Sequence, residues 1–404
     1  MLLKLAWRNI WRNKRRSLVV LISIIVGVNA ILMIDGLTNG MIFQMLFNQI
    51  SSNIAHVQVH KKGFSDNKVV QQYIPDENLV ETVLKNNSSV RAYSKRVIAY
   101  GLLSSASNST GVYVNGIIPA EEKKVSQIYN LISEGNYLTG NSHEAVIGES
   151  LAEKLDVGIG DKVVVMSNTP DGDIGADLFR ITGLFKTAYS EFDKTQIYIS
   201  LPDAQNLLDV KDKVYEFAVI TDNYKNANKT RDEIAAKLTD QYEVLSYEDL
   251  LPFIILQMDL YGESMFIVNL IVGLALIFGI INSMLMAVFE RINEFGVLMS
   301  IGMKNSRLFL MILTEALILG IFGTLIGVGS GILLNIPISD YGIDLSLFAA
   351  GLESFGVGAV IYPVLSIENV LITLIMLPFI SVLGAVYPAY KAIKLEPVYA
   401  IRYV

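Results

Sequence analysis

Hydrophobic positions are laid out in two different ways along this chain. Ser17 to Ile34, Ser264 to Phe289, and Asn369 to the residue before Lys391 run without a charge, and Leu308 to Asn335 carries only Glu315. Each run approaches or exceeds the ~18–20 residues that a helix needs to cross a bilayer core. Four spans are the economical count. Between the first two runs the pattern shortens. "IAHVQVH" (Ile54 to His60) alternates with period two and predicts a strand, as do "FRITGLF", "TQIYIS" and "YEFAVIT". "LPDAQNLL", which opens next to a proline, and "NANKTRDEIAAKL" predict helices. "EAVIGESLAEKLDVGIGDKVVVMS" predicts strand, short helix, glycine turn and strand.

The expected fold is an α-helical membrane protein with four transmembrane helices and a large α+β extracytoplasmic domain inserted between helices 1 and 2. The expected divisions are an amphipathic interfacial helix (1–16), span 1 (17–46), the outer domain (47–262) and span 2 (263–289). They continue with a loop helix (290–306), span 3 (307–335), a second outer loop (336–366), span 4 (367–390) and a tail (391–404). The outer domain, at about 215 residues, is long enough to bury its own core. No internal repeat or low-complexity segment interrupts it.

Composition agrees with this division. Hydrophobic residues make up 52% of the chain and charged ones 18%, apolar for a soluble protein of 404 residues. The inserted stretch holds about 20 Lys/Arg against about 29 Asp/Glu, so it is acidic while the remainder is close to neutral. Orientation follows from the short loops. The N-terminus holds Lys4, Arg8, Arg12, Lys14, Arg15 and Arg16, the loop between spans 2 and 3 holds Arg291, Lys304 and Arg307, and the tail holds Lys391, Lys394 and Arg402. The loop from Ile336 to Ser366 has no Lys or Arg. Both termini and the 290–306 loop are therefore expected in the cytoplasm, in a multi-pass membrane protein. Val28-Asn29-Ala30 imitates a signal cleavage site, but the apolar run continues past it. Ahead of span 1, Leu3, Trp7, Ile10 and Trp11 share one helical face and Lys4, Arg8, Arg12 and Arg15 another, as suits a helix lying in the inner interface.

Catalytic patterns are present only in outline. "AVIGESLAEKL" resembles a nucleophile elbow centred on Ser150, but that arrangement needs a histidine after the serine and the last of three histidines is His143. A helix packed behind a strand is the expected reading. His56 and His60 on a strand stand roughly 13 Å apart, too far to share one metal ion, and are expected to face solvent. "GIGDKV" precedes a strand where a dinucleotide loop would follow one, and the Gly-Lys pair of an ATPase phosphate loop occurs nowhere. With no cysteine there is no thiolate chemistry. No catalytic residue, metal site, chain-borne cofactor or nucleic-acid partner is expected.

The membrane part carries three features. Gly323, Gly327 and Gly331 recur at i+4 and clear one face of span 3 for close approach by another helix, in this chain or in a second copy. Glu315 lies about two turns inside span 3 and is expected to stay hydrated or to pair with Arg307 or Lys304, the alternative being a proton or substrate role. In "FERINEFGVLMSIGMKNSRLF" a helix would put Ile292, Phe295, Met299 and Met303 on one side and Glu290, Glu294, Val297 and Ile301 on the other. Gly302 permits the exit turn.

"ERINEFGVLMSIGMKNSRLFLMILTEALILG" resembles the span 2–3 signature of FtsX/MacB-type permeases of ABC transporters. "YPAYKAIKLEPVYAIRYV", with Pro397, Ala400, Ile401 and Arg402, resembles their C-terminal signature. "LAWRNIWRNKRRS", "HVQVHKKGF" and "GIDLSLFAAGLESFGVGAVIYP" are similar to the lipoprotein-releasing LolC/LolE branch. The resemblance implies a non-catalytic subunit that pairs with a second permease chain on a cytoplasmic ATPase, which would hold the ATP and Mg. The coupling helix would contact that ATPase through Glu290, Arg291, Glu294, Phe295, Gly296, Val297, Leu298, Ile301, Gly302 and Met303. Span 1 and span 2 would carry its motion to the outer domain, which would lift lipoproteins from the membrane lipids and pass them to a periplasmic carrier. Two alternatives follow from the same resemblance: a scaffold controlling cell-wall hydrolases, and an exporter of peptides or antibiotics.

Overall fold

The computed structural model describes residues 2–12 and 14–394, which fall into two compact units. The C-terminal signature at Pro397, Ala400, Ile401 and Arg402 lies outside the described residues.

Among the described residues four helices are long and apolar enough to cross a membrane. They are span 1 (Lys14–Gln49), span 2 (Pro252–Glu290), span 3 (Asn305–Tyr341) and span 4 (Ile367–Ile393). All four are longer than their apolar runs. Span 2 starts at Pro252 rather than at 263, because Gln257, Asp259 and Glu263 interrupt the hydropathy without interrupting the helix. Its 39 residues reach roughly 58 Å, well beyond the ~30 Å hydrocarbon core. Val28-Asn29-Ala30 sits inside the continuous helix of span 1.

These helices pack through positions three and four apart. Ile24, Val28, Ile31 and Leu32 of span 1 meet Leu276 and Ile280 of span 2, Ala316, Leu319 and Val328 of span 3, and Leu377 and Ile380 of span 4. The glycine face of span 3 is turned to span 1 of the same chain. A Cβ on Gly323, Gly327 or Gly331 would lie 2.9, 2.7 or 2.6 Å from the nearest side-chain atom of Ile24, Val28 or Leu32, respectively. No ordinary side chain fits at such distances, so the small residues set the interhelical spacing.

The inserted domain is built on one ten-stranded mixed sheet. Its strands are β1 (Val57–Lys61), β2 (Val90–Ser104), β3 (Ser109–Ile117), β4 (Ile132–Gly135), β5 (Glu144–Gly148), β6 (Lys162–Asn168), β7 (Ile174–Phe185), β8 (Gln196–Ser200), β9 (Glu216–Thr221) and β10 (Tyr242–Ser246). The order is β10-β1-β9-β2-β3-β8-β5-β7-β4, with β6 paired to β2 and β7. The helices expected after β8 and before β10 form at Leu201–Leu207 and Ala227–Ala235, the first capped by Ser200 Oγ accepting from Asp203 N at 3.2 Å. The elbow-like segment is β5 followed by the helix Glu149–Leu155. His143 Nε2 stands 3.3 Å from Asp177 Oδ2 in an exposed pair, and the helix packs behind its strand.

His56 and His60 are not solvent-facing. His56 is half-buried, its Nδ1 2.9 Å from Thr221 Oγ1, and burial lowers its pKa. His60 is buried, with Nε2 3.0 Å from Glu216 Oε2. The reason lies in β2, the longest strand and one that the alternation above does not mark. Arg96 on β2 is buried, and its guanidinium is clamped by Glu122 at 2.6 and 3.1 Å and by Glu216 at 2.7 Å. It also donates to the backbone carbonyl of Asn53. Burial opposes the charge on Glu216, but Arg96 and His60 hold its pKa below the usual value. An arginine inside a strand breaks the apolar pattern, and the same arginine draws β1 and β9 polar groups inward.

Candidate functional site

The stretch that joins spans 2 and 3 folds as a nine-residue helix, Ile292–Ser300, inside the expected 290–306 loop. Glu290 is the last residue of span 2, and Arg291 stands at the corner outside either helix. At the far end Gly302 has φ +96°, the N–H of Gly302 donates to Met299 O at 3.0 Å, and that of Met303 donates to Leu298 O at 3.0 Å. This glycine cap ends the helix and turns the chain into span 3.

The two faces separate as the spacing predicts. Ile292 and Phe295 are buried, Phe295 against Val288, Leu308, Met311 and Ile312, with Leu298, Met299 and Met303 at the margin. Val297 and Ile301 are 46% and 80% exposed, and Glu290 and Glu294 lie outside with them. The ten residues expected to contact an ATPase therefore divide. Glu290, Glu294, Val297, Ile301 and Gly302 are exposed, whereas Arg291, Phe295 and Gly296 point inward and support the helix.

Glu315 does not pair with Arg307 or Lys304. Both of its oxygens lie 3.2 Å from Nη1 of Arg291, and Oε1 accepts from Asn9 Nδ2 at 2.6 Å. Arg291 also donates through Nε to Glu294 at 3.2 Å, and Glu294 accepts from Arg12. The five side chains close a ring over three elements: the N-terminal helix (Leu2–Arg12), the loop helix and span 3. Arg291 and Glu315 are both buried, and a cavity of about 30 Å³, room for a single water, opens beside them between Ser17, Ser283 and Glu315. The N-terminal helix rests on span 3 through Ala6, Leu5 and a Trp7–Phe322 ring contact of 5.6 Å. Trp11 and Leu3 stay exposed.

A second membrane carboxylate escaped the sequence reading, which closed the first apolar run at Ile34. Asp35 in span 1 is buried, takes hydrogen bonds from Tyr261 of span 2 and Asn369 of span 4, and accepts from Ser366 N at 3.1 Å. Its partners are neutral donors. The available signal was an acid inside an otherwise helical apolar stretch.

Residues 17–237 match the family described as MacB-like periplasmic core domain, and residues 266–397 match FtsX-like permease C-terminal. The chain belongs to the FtsX/MacB superfamily of ABC transporter permeases. Among curated relatives, the lipoprotein-releasing system transmembrane protein LolC of Neisseria meningitidis is 25% identical over 97% of this chain and 96% of its own length. LolE of Haemophilus influenzae is 24% identical over 97% of each. The macrolide export ATP-binding/permease protein MacB of Psychrobacter arcticus is 24% identical over 96% of this chain but 57% of its own. This permease is thus of the Lol/MacB type, a multi-pass inner-membrane protein with an outer domain between its first two spans.

Proposed function

We propose that this permease transmits the motion of a separate cytoplasmic ABC ATPase, through the loop helix and the long first and second spans, to its outer domain, and that the work released there extracts lipoproteins from the inner membrane. The observation that carries the reading is the exposed pair Val297 and Ile301 on a helix whose opposite face is buried. A helix held in that way offers an apolar anchor rimmed by Glu290 and Glu294 to a partner groove. Both termini and this loop lie in the cytoplasm under this reading, consistent with the Lys/Arg asymmetry. ATP and Mg belong to the ATPase, and a second permease chain, identical or related, completes the complex. Lipoprotein as cargo is favoured by the full-length similarity to LolC and LolE; a periplasmic carrier would receive it.

The test is Val297→Asp. A charge at the centre of the contact is costly when desolvated without a partner. The variant is expected to insert and to keep its outer domain folded, yet to fail to retain the ATPase in detergent co-purification and to lose stimulated ATP turnover. Retention and turnover at the unmodified level would remove the docking role. Identification of the lipids and lipoproteins that co-purify from native membranes tests the cargo.

A further inference from the structure

Packing alone seats the N-terminal helix on span 3, through Ala6, Leu5 and the Trp7–Phe322 contact. The polar ring does something packing does not. It reaches past span 3 to Glu294, which stands on the outward face of the loop helix beside Val297. Its charges balance: two guanidiniums, Arg12 and Arg291, face two carboxylates, Glu294 and Glu315. Asn9, a neutral donor, fills a further lone pair of Glu315 without upsetting that balance. Arg291 is the corner between span 2 and the loop helix, so one side chain ties the start of the loop helix to span 3.

We propose that Asn9, Arg12, Arg291 and Glu315 are positioning residues that make the N-terminal helix part of the coupling apparatus. The ring fixes the tilt of the loop helix against span 3, and Arg12 holds Glu294 in place at the ATPase-facing surface. A push on the loop helix is then shared by the N-terminal helix and span 3 at once, rather than absorbed at the Arg291 corner. The proposal rests on the docking reading given above.

The experiment uses the full chain with the ATPase subunit that co-purifies from native membranes. Asn9→Leu and Arg12→Gln leave Val297 and Ile301 untouched and lie at half-exposed or exposed positions, so folding is retained. Each is expected to lower ATP turnover of the assembled complex about tenfold while ATPase retention stays within about twofold, as for a lost coupling between intact sites. Arg12→Lys keeps the charge and is expected to recover turnover to within about threefold. A second readout needs no ATPase. Spin labels at Lys4→Cys and Ser300→Cys in the permease alone are expected to give a narrow distance distribution that broadens in Asn9→Leu. Unchanged turnover in both variants overturns the proposal, and so does a broadened distance with normal turnover. If Val297→Asp keeps the ATPase, the docking reading fails, while an unbroadened distance in Asn9→Leu shows that the ring itself holds nothing.

Discussion

Two buried arginines, each between two carboxylates, invite comparison. In the outer domain Arg96 meets Glu122 and Glu216 at 2.6–3.1 Å, and all three side chains are almost fully enclosed. In the helical unit Arg291 meets Glu315 and Glu294 at 3.2 Å, and Glu294 is 44% exposed. The first cluster ties the neighbouring strands β2 and β9 to the short helix Pro119–Glu122, with Asn53 and His60 filling the remaining valences. The second joins three separate helices, one of its members reaches solvent, and a small cavity lies beside it. The same chemistry is built to stay closed in one place and to join separable parts in the other. Burial separates them, because a charge cut off from water has no substitute for a lost partner.

The sharpest break in this comparison comes from removing each arginine. Arg96→Ala leaves two buried carboxylates facing one another and is expected to cost roughly 3–5 kcal/mol. The outer domain of the full chain in detergent then unfolds or becomes protease-sensitive. Arg291→Ala is expected to shift the unfolding midpoint less, because Glu294 can turn to water and the one carboxylate left buried, Glu315, keeps Asn9 and lies beside the small cavity, and to remove coupled turnover. Equal losses of stability would erase the distinction.

A pH experiment probes the closed character of the outer domain at a different buried acid. Burial pushes Asp193 up to about 6, repulsion from Glu149 adds to this, and hydrogen bonds from Thr187 act the other way. Its folded pKa is raised, so the protonated form is the one that stabilises. That contribution is fully present below the unfolded value and is lost as pH rises to about 6, a span of roughly 2–3 kcal/mol. Asp193→Asn is expected to flatten the unfolding midpoint over that window; an unchanged slope would mean that water reaches the carboxyl.

Gly327→Leu tests whether the helical unit is rigid beyond its ring. A Cβ there already meets Val28 at 2.7 Å, and overpacking of this kind costs about 1–3 kcal/mol. The variant is expected to insert but to lose assembly or coupled turnover. Gly329→Leu, where a Cβ meets nothing within 4 Å, is the matched control and is expected to be silent. The smallest effect belongs to Glu294→Gln. Partial burial raises the pKa of Glu294, but hydrogen bonds from Arg12 and Arg291 outweigh this and hold it below the usual value. Its contribution is present above the ordinary carboxylate range and is lost as pH falls through the lowered value. An exposed pair of this kind is worth under about 1 kcal/mol in a neutral-pH unfolding midpoint.

The pattern of residues was enough for the four spans, the α+β insertion and the two faces of the loop helix. Each of these is a local property: run length, period two, period 3.6. The glycine spacing of span 3 announced a close contact but not its partner, since Ile24, Val28 and Leu32 of span 1 differ from any other apolar helix only once the bundle is assembled. Helix ends were misjudged because hydropathy marks the bilayer and not the backbone hydrogen bonding, which carries span 2 back to Pro252.

Charges were the least legible. His60 looked like a surface residue on an alternating strand, and Glu315 looked like a partner for nearby Arg307 or Lys304. Their real partners are Glu216, 156 residues away, and Asn9, 306 residues away, together with Arg291 at the corner. Asp35 lies just past the first uncharged run, and its donors on spans 2 and 4 reach it only in the assembled bundle. The sequence by itself determined which segments enter the membrane and which face of each element seeks burial, because solvation acts on every residue where it stands. Which charge neutralises which was decided only by the tertiary structure, because a buried ion is stable only beside a partner that folding brings within about 3 Å.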